Sequence, residues 1–167
     1  MRLLMVAALA LIAGVVQAAE FYAPDEVVVA GISKHGSGGN YDFNERHLIL
    51  GLAGPAAGLA GIGDARWEIG IILRDSYNCT GIYGAIGKSV ASWKLGDDIV
   101  IKPGIALYAG NKCTRLSDGE SVRESFILPL PVLRTEIGKS VAVESSYLPK
   151  FRKNNVAVLF ATLRYRF

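Results

Sequence analysis

Read back from Phe167, the chain deals its last residues alternately to two faces. Ala157, Leu159, Ala161, Leu163, Tyr165 and Phe167 form one face, and Val156, Val158, Phe160, Thr162, Arg164 and Arg166 form the other. A period of two is the signature of an extended strand, whose side chains point in turn to opposite sides. The first face is apolar throughout and ends in two aromatics, as a strand facing lipid and reaching the interface does. The second is apolar over one half and cationic over the other. The alternative is the edge strand of a soluble sandwich. The terminal Phe, a mean hydropathy of +0.31 and the N-terminal export signal described below weigh against it, so the segment reads as one stave of a membrane barrel.

The rest of the chain repeats the pattern. No stretch after residue 18 shows the 3.6-residue period of an amphipathic helix. Instead, segments rich in Val, Ile, Leu, Tyr and Ala recur between clusters of Gly, Asn, Asp, Ser and Pro. Eight are expected, at 27–35, 47–54, 65–74, 80–91, 97–108, 126–134, 139–147 and 155–167. Most are near ten residues, the length a tilted strand needs to cross a bilayer. The expected fold is all-β: an eight-stranded antiparallel up-and-down transmembrane barrel of the outer-membrane type. Composition agrees, with 51% apolar residues and 20% charged. A net charge of +3 spread over 167 residues is no basic stripe and argues against a nucleic-acid partner.

The N-terminus reads as an export signal. Arg2 provides the positive end, Leu3 to Val16 an apolar run, and Val16-Gln17-Ala18 the small residues a signal peptidase accepts. The run is shorter than the roughly 20 residues a membrane helix requires. Residues 1–18 are therefore expected to be removed, leaving one barrel domain over 19–167 that the barrel assembly machinery inserts in the outer membrane of a Gram-negative bacterium.

In such a topology the inner faces can be listed by parity. Arg66, Glu68, Lys102, Glu144, Arg164 and Arg166 fall inward near one end, where Arg66, Arg164 and Arg166 can pair with Glu68 or Glu144. The opposite half of the interior is apolar. Eight strands leave room for side chains or one small ligand, not an aqueous channel, and an apolar chamber open at one end suits a lipid tail.

Four connections are expected outside, at 36–46, 75–79, 109–125 and 148–154, with short turns at 92–96 and 135–138 and a longer connection at 55–64 on the other side. His35, Asp75 and Ser76 then meet at a single rim, the residue types that activate a hydroxyl for acyl transfer. The outer connections also carry Lys112, Arg115, Arg123, Lys150, Arg152 and Lys153, which suit a phosphorylated lipid headgroup. Cys79 and Cys113 fall on the same side. They are either joined in an oxidising envelope or two buried thiols. No metal-ligand spacing is present, and His35 and His47 stand too far apart in sequence to propose one.

Several of these segments, in order, resemble the PagP family of outer-membrane lipid A palmitoyltransferases. They are His35 with Tyr41-Asp42-Phe43-Asn44-Glu45-Arg46, then Arg74-Asp75-Ser76-Tyr77-Asn78. Leu128-Pro129-Leu130-Pro131-Val132-Leu133 follows, and then Tyr147-Leu148-Pro149 with Asn154-Asn155 and the terminal strand. The resemblance implies transfer of a palmitoyl chain from a glycerophospholipid donor to a lipid A acceptor without a cofactor. It carries the family's catalytic residues onto His35, Asp75 and Ser76. His35 would be general base, Asp75 would orient or charge-stabilise it, and Ser76 would be nucleophile or would bind the oxyanion. The glycine that sets chain length falls on Gly87, which places Lys88 on the lipid side. Of the prolines that open lateral gates, Pro149 has a counterpart, while Ala30, His47 and Thr135 occupy the other positions. The family's N-terminal amphipathic helix has little room before the first strand. Two other classes fit the same chain: a lipid hydrolase (lipid A deacylase or phospholipase), and a small barrel without catalysis.

Overall fold

The computed structural model describes residues 20–36, 45–57, 65–115, 121–149 and 157–167. The export-signal expectation and the basic residues Lys150, Arg152 and Lys153 lie outside these. The described residues form strands β1 (Glu20–Phe21), β2 (Glu26–His35), β3 (Arg46–His47), β4 (Ile49–Ala57), β5 (Ala65–Ile72), β6 (Gly81–Ser89), β7 (Trp93–Leu95), β8 (Ile99–Arg115), β9 (Ser121–Ile137), β10 (Val141–Leu148) and β11 (Val158–Arg166). Eight of them close a ring in the order β2-β4-β5-β6-β8-β9-β10-β11 and back to β2. Every neighbour in the ring is antiparallel. The expected eight-stranded barrel is thus the observed fold, with β1, β3 and β7 as short additions. Closure matters because it leaves no strand of the ring at a free sheet edge.

Three connections differ from expectation. The third rim connection is not a loop over 109–125, because β8 and β9 are 17 residues each and stay paired up to Arg115↔Ser121. The two strands turn polar on both faces there, and Lys112 stands opposite Glu124, an opposite-charge pair of the kind that supports a ladder. At the other end, the turns fall at 96–98 and 138–140, beyond the expected 92–96 and 135–138. Gly96 (φ 68°) and Gly138 (φ 60°) take the left-handed conformation that hairpin turns demand and that glycine adopts without a Cβ clash. The chain therefore pairs as far as those glycines allow.

Alternation sorts the side chains. Ile32 on β2, Leu50 on β4, Ile69 on β5, Ile82 on β6, Ile105 on β8, Ile127 on β9, Tyr147 on β10 and Leu159 on β11 all point outward and are 47–62% exposed. Lys88 shares the outward parity, since it pairs with Ala65 and Ile105. Phe21, Tyr22, Trp93, Tyr165 and Phe167 form an exposed aromatic fringe at the end of the barrel where β11 finishes. That end is called the floor, and the opposite one, where β2 finishes at His35, the rim.

The interior near the floor is a closed charge network. Its basic members are Arg66, Lys102, Arg134, Arg164 and Arg166, and its acidic members are Asp25, Glu26, Glu68, Glu136 and Glu144. Arg164 bridges Glu68 at 2.5 Å and Glu144 at 2.7 Å. Arg134 joins Glu26, Glu136 and Glu144, and Glu26 is wholly buried. Arg66 pairs with Asp25 and Glu26, not with Glu68 or Glu144 as expected. Asp25 lies just before β2, outside any alternating segment, so parity gave no sign of it. Such a network holds because each buried charge has a partner.

Candidate functional site at the barrel rim

His35 ends β2 on its inward parity, and its neighbour Gly36 donates a backbone hydrogen bond to Ala157 O at 2.8 Å. Ser76 stands on the tight turn that follows β5. Ser76 Oγ and His35 Nε2 are 3.0 Å apart, a hydrogen bond between residues 41 positions apart in the chain. The hydroxyl can therefore pass its proton to the imidazole without rearrangement.

The Ser76 turn is held from four sides. Asp75 Oδ1 accepts the backbone N–H groups of Tyr77 at 2.8 Å and Cys79 at 2.9 Å. Asp75 Oδ2 accepts the N–H of Cys113 at 3.1 Å. Asn78 takes the left-handed conformation (φ 61°), which asparagine tolerates better than most residues. A Cys79–Cys113 disulfide, with Cα atoms 6.0 Å apart, ties the turn to β8. The two readings of the cysteines thus resolve to the joined one. Asp75 therefore organises the turn through backbone donors on both of its oxygens.

His47 braces the same turn from below. It is buried, lies 3.0 Å by Nδ1 from Arg74 O and 2.8 Å by Nε2 from Ser33 Oγ. A carbonyl only accepts, so Nδ1 carries the proton and Nε2 accepts from Ser33. The ring fixes the backbone one residue before Asp75 and packs 5.4 Å from the ring of Phe160. Its isolation in sequence hid this role; the antiparallel return of the chain beside β2 brings it in.

Glu45 also reaches the site. It accepts the His35 backbone N–H at 3.4 Å through Oε1, and the same oxygen is 4.0 Å from His35 Nδ1. Its Oε2 accepts from Lys34 Nζ at 3.1 Å, and this ammonium holds the Glu45 carboxyl below the usual carboxylate range. Glu45 was visible in sequence only as part of the Tyr41–Arg46 resemblance, because the connection 37–44 separates it from His35.

Below the rim the interior holds Ile49 and Phe160 beside the buried His47–Ser33 pair and then closes. A Cβ on Gly31 would meet Ile49 Cδ1 at 2.6 Å and Phe160 Cζ at 3.0 Å, so those two side chains pack over β2. A Cβ on Gly70 would meet the Tyr83 ring at 2.7–2.9 Å, and only glycine lets that ring lie against β5. The Tyr83 hydroxyl donates to Glu68 and that of Tyr108 to Glu144 at 3.1 Å. The two phenols separate the upper interior from the charges. Gly87 is inward, since its Cβ would stand 3.0 Å from Ala106 Cβ. It lies farther toward the floor than Tyr83 on the same strand, beside a cavity of about 40 Å³ bordered by Arg66, Glu68, Lys102, Arg134 and Arg164.

Two seams between strands are incomplete. The β9–β10 ladder stops at Ser146↔Val132, directly below Pro131 and Pro129, which have no N–H to offer. Pro149 follows the end of β10 on the other side of the gap. Between β2 and β4 the ladder runs only from Glu26↔Ala53 to Val28↔Gly51 and resumes as Gly31↔His47 with β3. This second break falls at Val29 and Ala30 on β2, just short of the Gly31↔His47 pair, although neither is proline.

Among the described residues, Asp75, Cys79 and Cys113 are a group with metal-ligand atoms close together, but both sulfurs are spent in the disulfide. Searches with the chain match no protein-family model and no curated protein, so the site is read from its own residues. The disulfide yields a direct expectation. Reduction with dithiothreitol, or Cys113→Ser, should free the turn from β8 and displace Ser76 from His35, which would cost any reaction at this rim about 10-fold, because small misplacements of reacting groups are costly. The check is a comparison of the folded barrel before and after reduction and reoxidation.

Proposed function

We propose that this chain is an outer-membrane acyltransferase that moves a palmitoyl or similar chain from a glycerophospholipid to lipid A. The observation that carries the reading is the Ser76 Oγ–His35 Nε2 contact of 3.0 Å at the mouth of the barrel interior. An outward Ile or Leu gains about 1.5–3 kcal/mol on leaving water for an apolar medium. An exposed apolar residue on every strand of the ring supports a membrane location on those grounds. Exposed Arg46, Arg74 and Arg123 near the rim suit the phosphates of a lipid A acceptor.

In this mechanism the donor's acyl chain enters sideways through the β9–β10 seam, bounded by Pro129, Pro131 and Pro149, and lies against Ile49 and Phe160. His35 Nε2 takes the proton of the attacking hydroxyl and returns it to the departing glycerol oxygen, so one ester is exchanged for another with no net proton change. Asp75 fixes the turn that presents Ser76. The same Ser–His pair would serve a hydrolase if water replaced the acceptor hydroxyl. Lipid A that gains an acyl chain supports transfer, and lipid A that loses one supports hydrolysis.

The Tyr83 ring is the base of the acyl site in this reading, and Gly87 lies beneath it among charges. Tyr83→Ala should therefore shift the preferred donor toward longer chains, while Tyr83→Phe, which keeps the ring, should leave the preference in place. Competition between phosphatidylcholines of graded chain length, read by mass spectrometry of the product, decides this. An unchanged preference in Tyr83→Ala would place the base elsewhere.

A further inference from the structure

We infer that Glu45 positions the His35 imidazole, so that the rim holds a serine–histidine–glutamate relay built from three separate chain segments. The inference rests on reading His35 as the general base and deepens it. Ser76 and Glu45 stand on opposite sides of the ring, Ser76 Oγ 3.0 Å from Nε2 and Glu45 Oε1 4.0 Å from Nδ1. For Nε2 to accept the serine proton, Nδ1 must carry the other, and that N–H requires an acceptor. The His35 side chain is only 7% exposed, so the imidazolium formed during transfer draws little help from water and gains from a nearby carboxylate.

Glu45 is aimed for this task by its two other contacts. Lys34 holds Oε2, the His35 backbone N–H holds Oε1, and the oxygen nearer the ring is thereby fixed at the ring's level. Asp75, the other carboxylate of the rim, has both oxygens on backbone N–H groups of its own turn and of Cys113. The step from 4.0 Å to a hydrogen bond is about 1 Å, and such contacts commonly tighten only when substrate is bound. Glu45 gains and loses no proton in the cycle. In the first half the Ser76 proton goes to His35 Nε2 and on to the departing glycerol oxygen as the acyl chain bonds to Ser76 Oγ. In the second the lipid A hydroxyl gives its proton to Nε2 and takes the acyl chain, and the proton returns to Ser76, while Glu45 keeps its charge and the ring its orientation.

The test uses the purified barrel in detergent, with labelled phosphatidylcholine as donor and lipid A as acceptor. Glu45→Gln and Glu45→Ala should each lower kcat by about 100-fold with KM within about twofold of the parent. Glu45→Asp should keep at least about a tenth of the activity, and formate should restore Glu45→Ala by about 10-fold but leave His35→Ala inactive. Heat-modifiable mobility on gels shows which variants are folded barrels. If Glu45→Ala fails to fold, Glu45→Gln and Glu45→Asp, which retain its size or its charge, decide the question. Near-parental kcat in folded Glu45→Gln, with His35→Ala inactive, would overturn the role of Glu45 and leave the acyltransferase reading intact. Full activity in His35→Ala would overturn both.

Discussion

His35→Ala and Ser76→Ala should each reduce acyl transfer by about 10³-fold or more, while both proteins still form the barrel. Ser76 Oγ lies 3.0 Å from His35 Nε2, so removing either residue removes the proton path to the other. The barrel does not depend on this contact, because the turn keeps the Asp75 hydrogen bonds, the His47 bond to Arg74 O and the Cys79–Cys113 bridge. The double variant should be about as inactive as each single one, since residues acting as a unit do not add. Asp75→Asn should behave differently: the amide keeps one acceptor oxygen and loses the other, so the turn loosens and activity falls together with the thermal resistance of the folded barrel.

The second large effect is expected at the floor. Arg164→Ala should destabilise the barrel by about 3–5 kcal/mol, the usual cost of removing one partner from a buried ion pair. Arg164 is 3% exposed and is held between Glu68 at 2.5 Å and Glu144 at 2.7 Å. Without it two carboxylates face each other inside the barrel with the phenols of Tyr83 and Tyr108 as remaining donors. A triple change, Arg164→Met with Glu68→Gln and Glu144→Gln, should recover most of the loss, because it removes the charges together. Urea unfolding of the three proteins in lipid vesicles measures this. A loss below about 1 kcal/mol in Arg164→Ala would mean that water reaches the floor and screens the network.

Much of this architecture was legible in the sequence because a barrel writes itself in a period of two. The parity read back from Phe167 assigns the observed inner and outer faces of β11 (Val158–Arg166), and the same alternation puts Arg66 and Glu68 inside on β5. What parity could not supply was anything lying off the alternating segments. Asp25, which takes Arg66 away from its expected partners, precedes β2. The extent of β8 and β9 was hidden because their upper halves are polar on both faces, so the alternation that marked them out ends before the strands do. Gly96 and Gly138 did mark the floor turns, but only the backbone conformation shows that pairing runs up to each of them.

The rim divides in the same way. Topology alone gathers His35, Asp75 and Ser76 at one end, since it needs only the direction of each strand. Their separate duties were not legible. That Asp75 caps its own turn depends on the fold of a few residues around the left-handed Asn78, which brings the Tyr77 and Cys79 N–H groups onto one carboxylate oxygen. His47 and Glu45 enter because an antiparallel return lays 45–47 beside β2, a register that the intervening connection leaves open in the sequence. The residues bounding the β9–β10 seam were present as the Pro-Leu-Pro pattern at 129–131. Their meaning came from the ladder, which ends where the missing N–H groups begin.

Acyl transfer to lipid A at the rim built on His35 and Ser76 is decided by mass spectrometry of lipid A from cells with and without the expressed chain. A new species heavier by one acyl chain is expected with the parent sequence and not with Ser76→Ala. Lipid A that is unchanged, or that has lost a chain, would rule the transfer out.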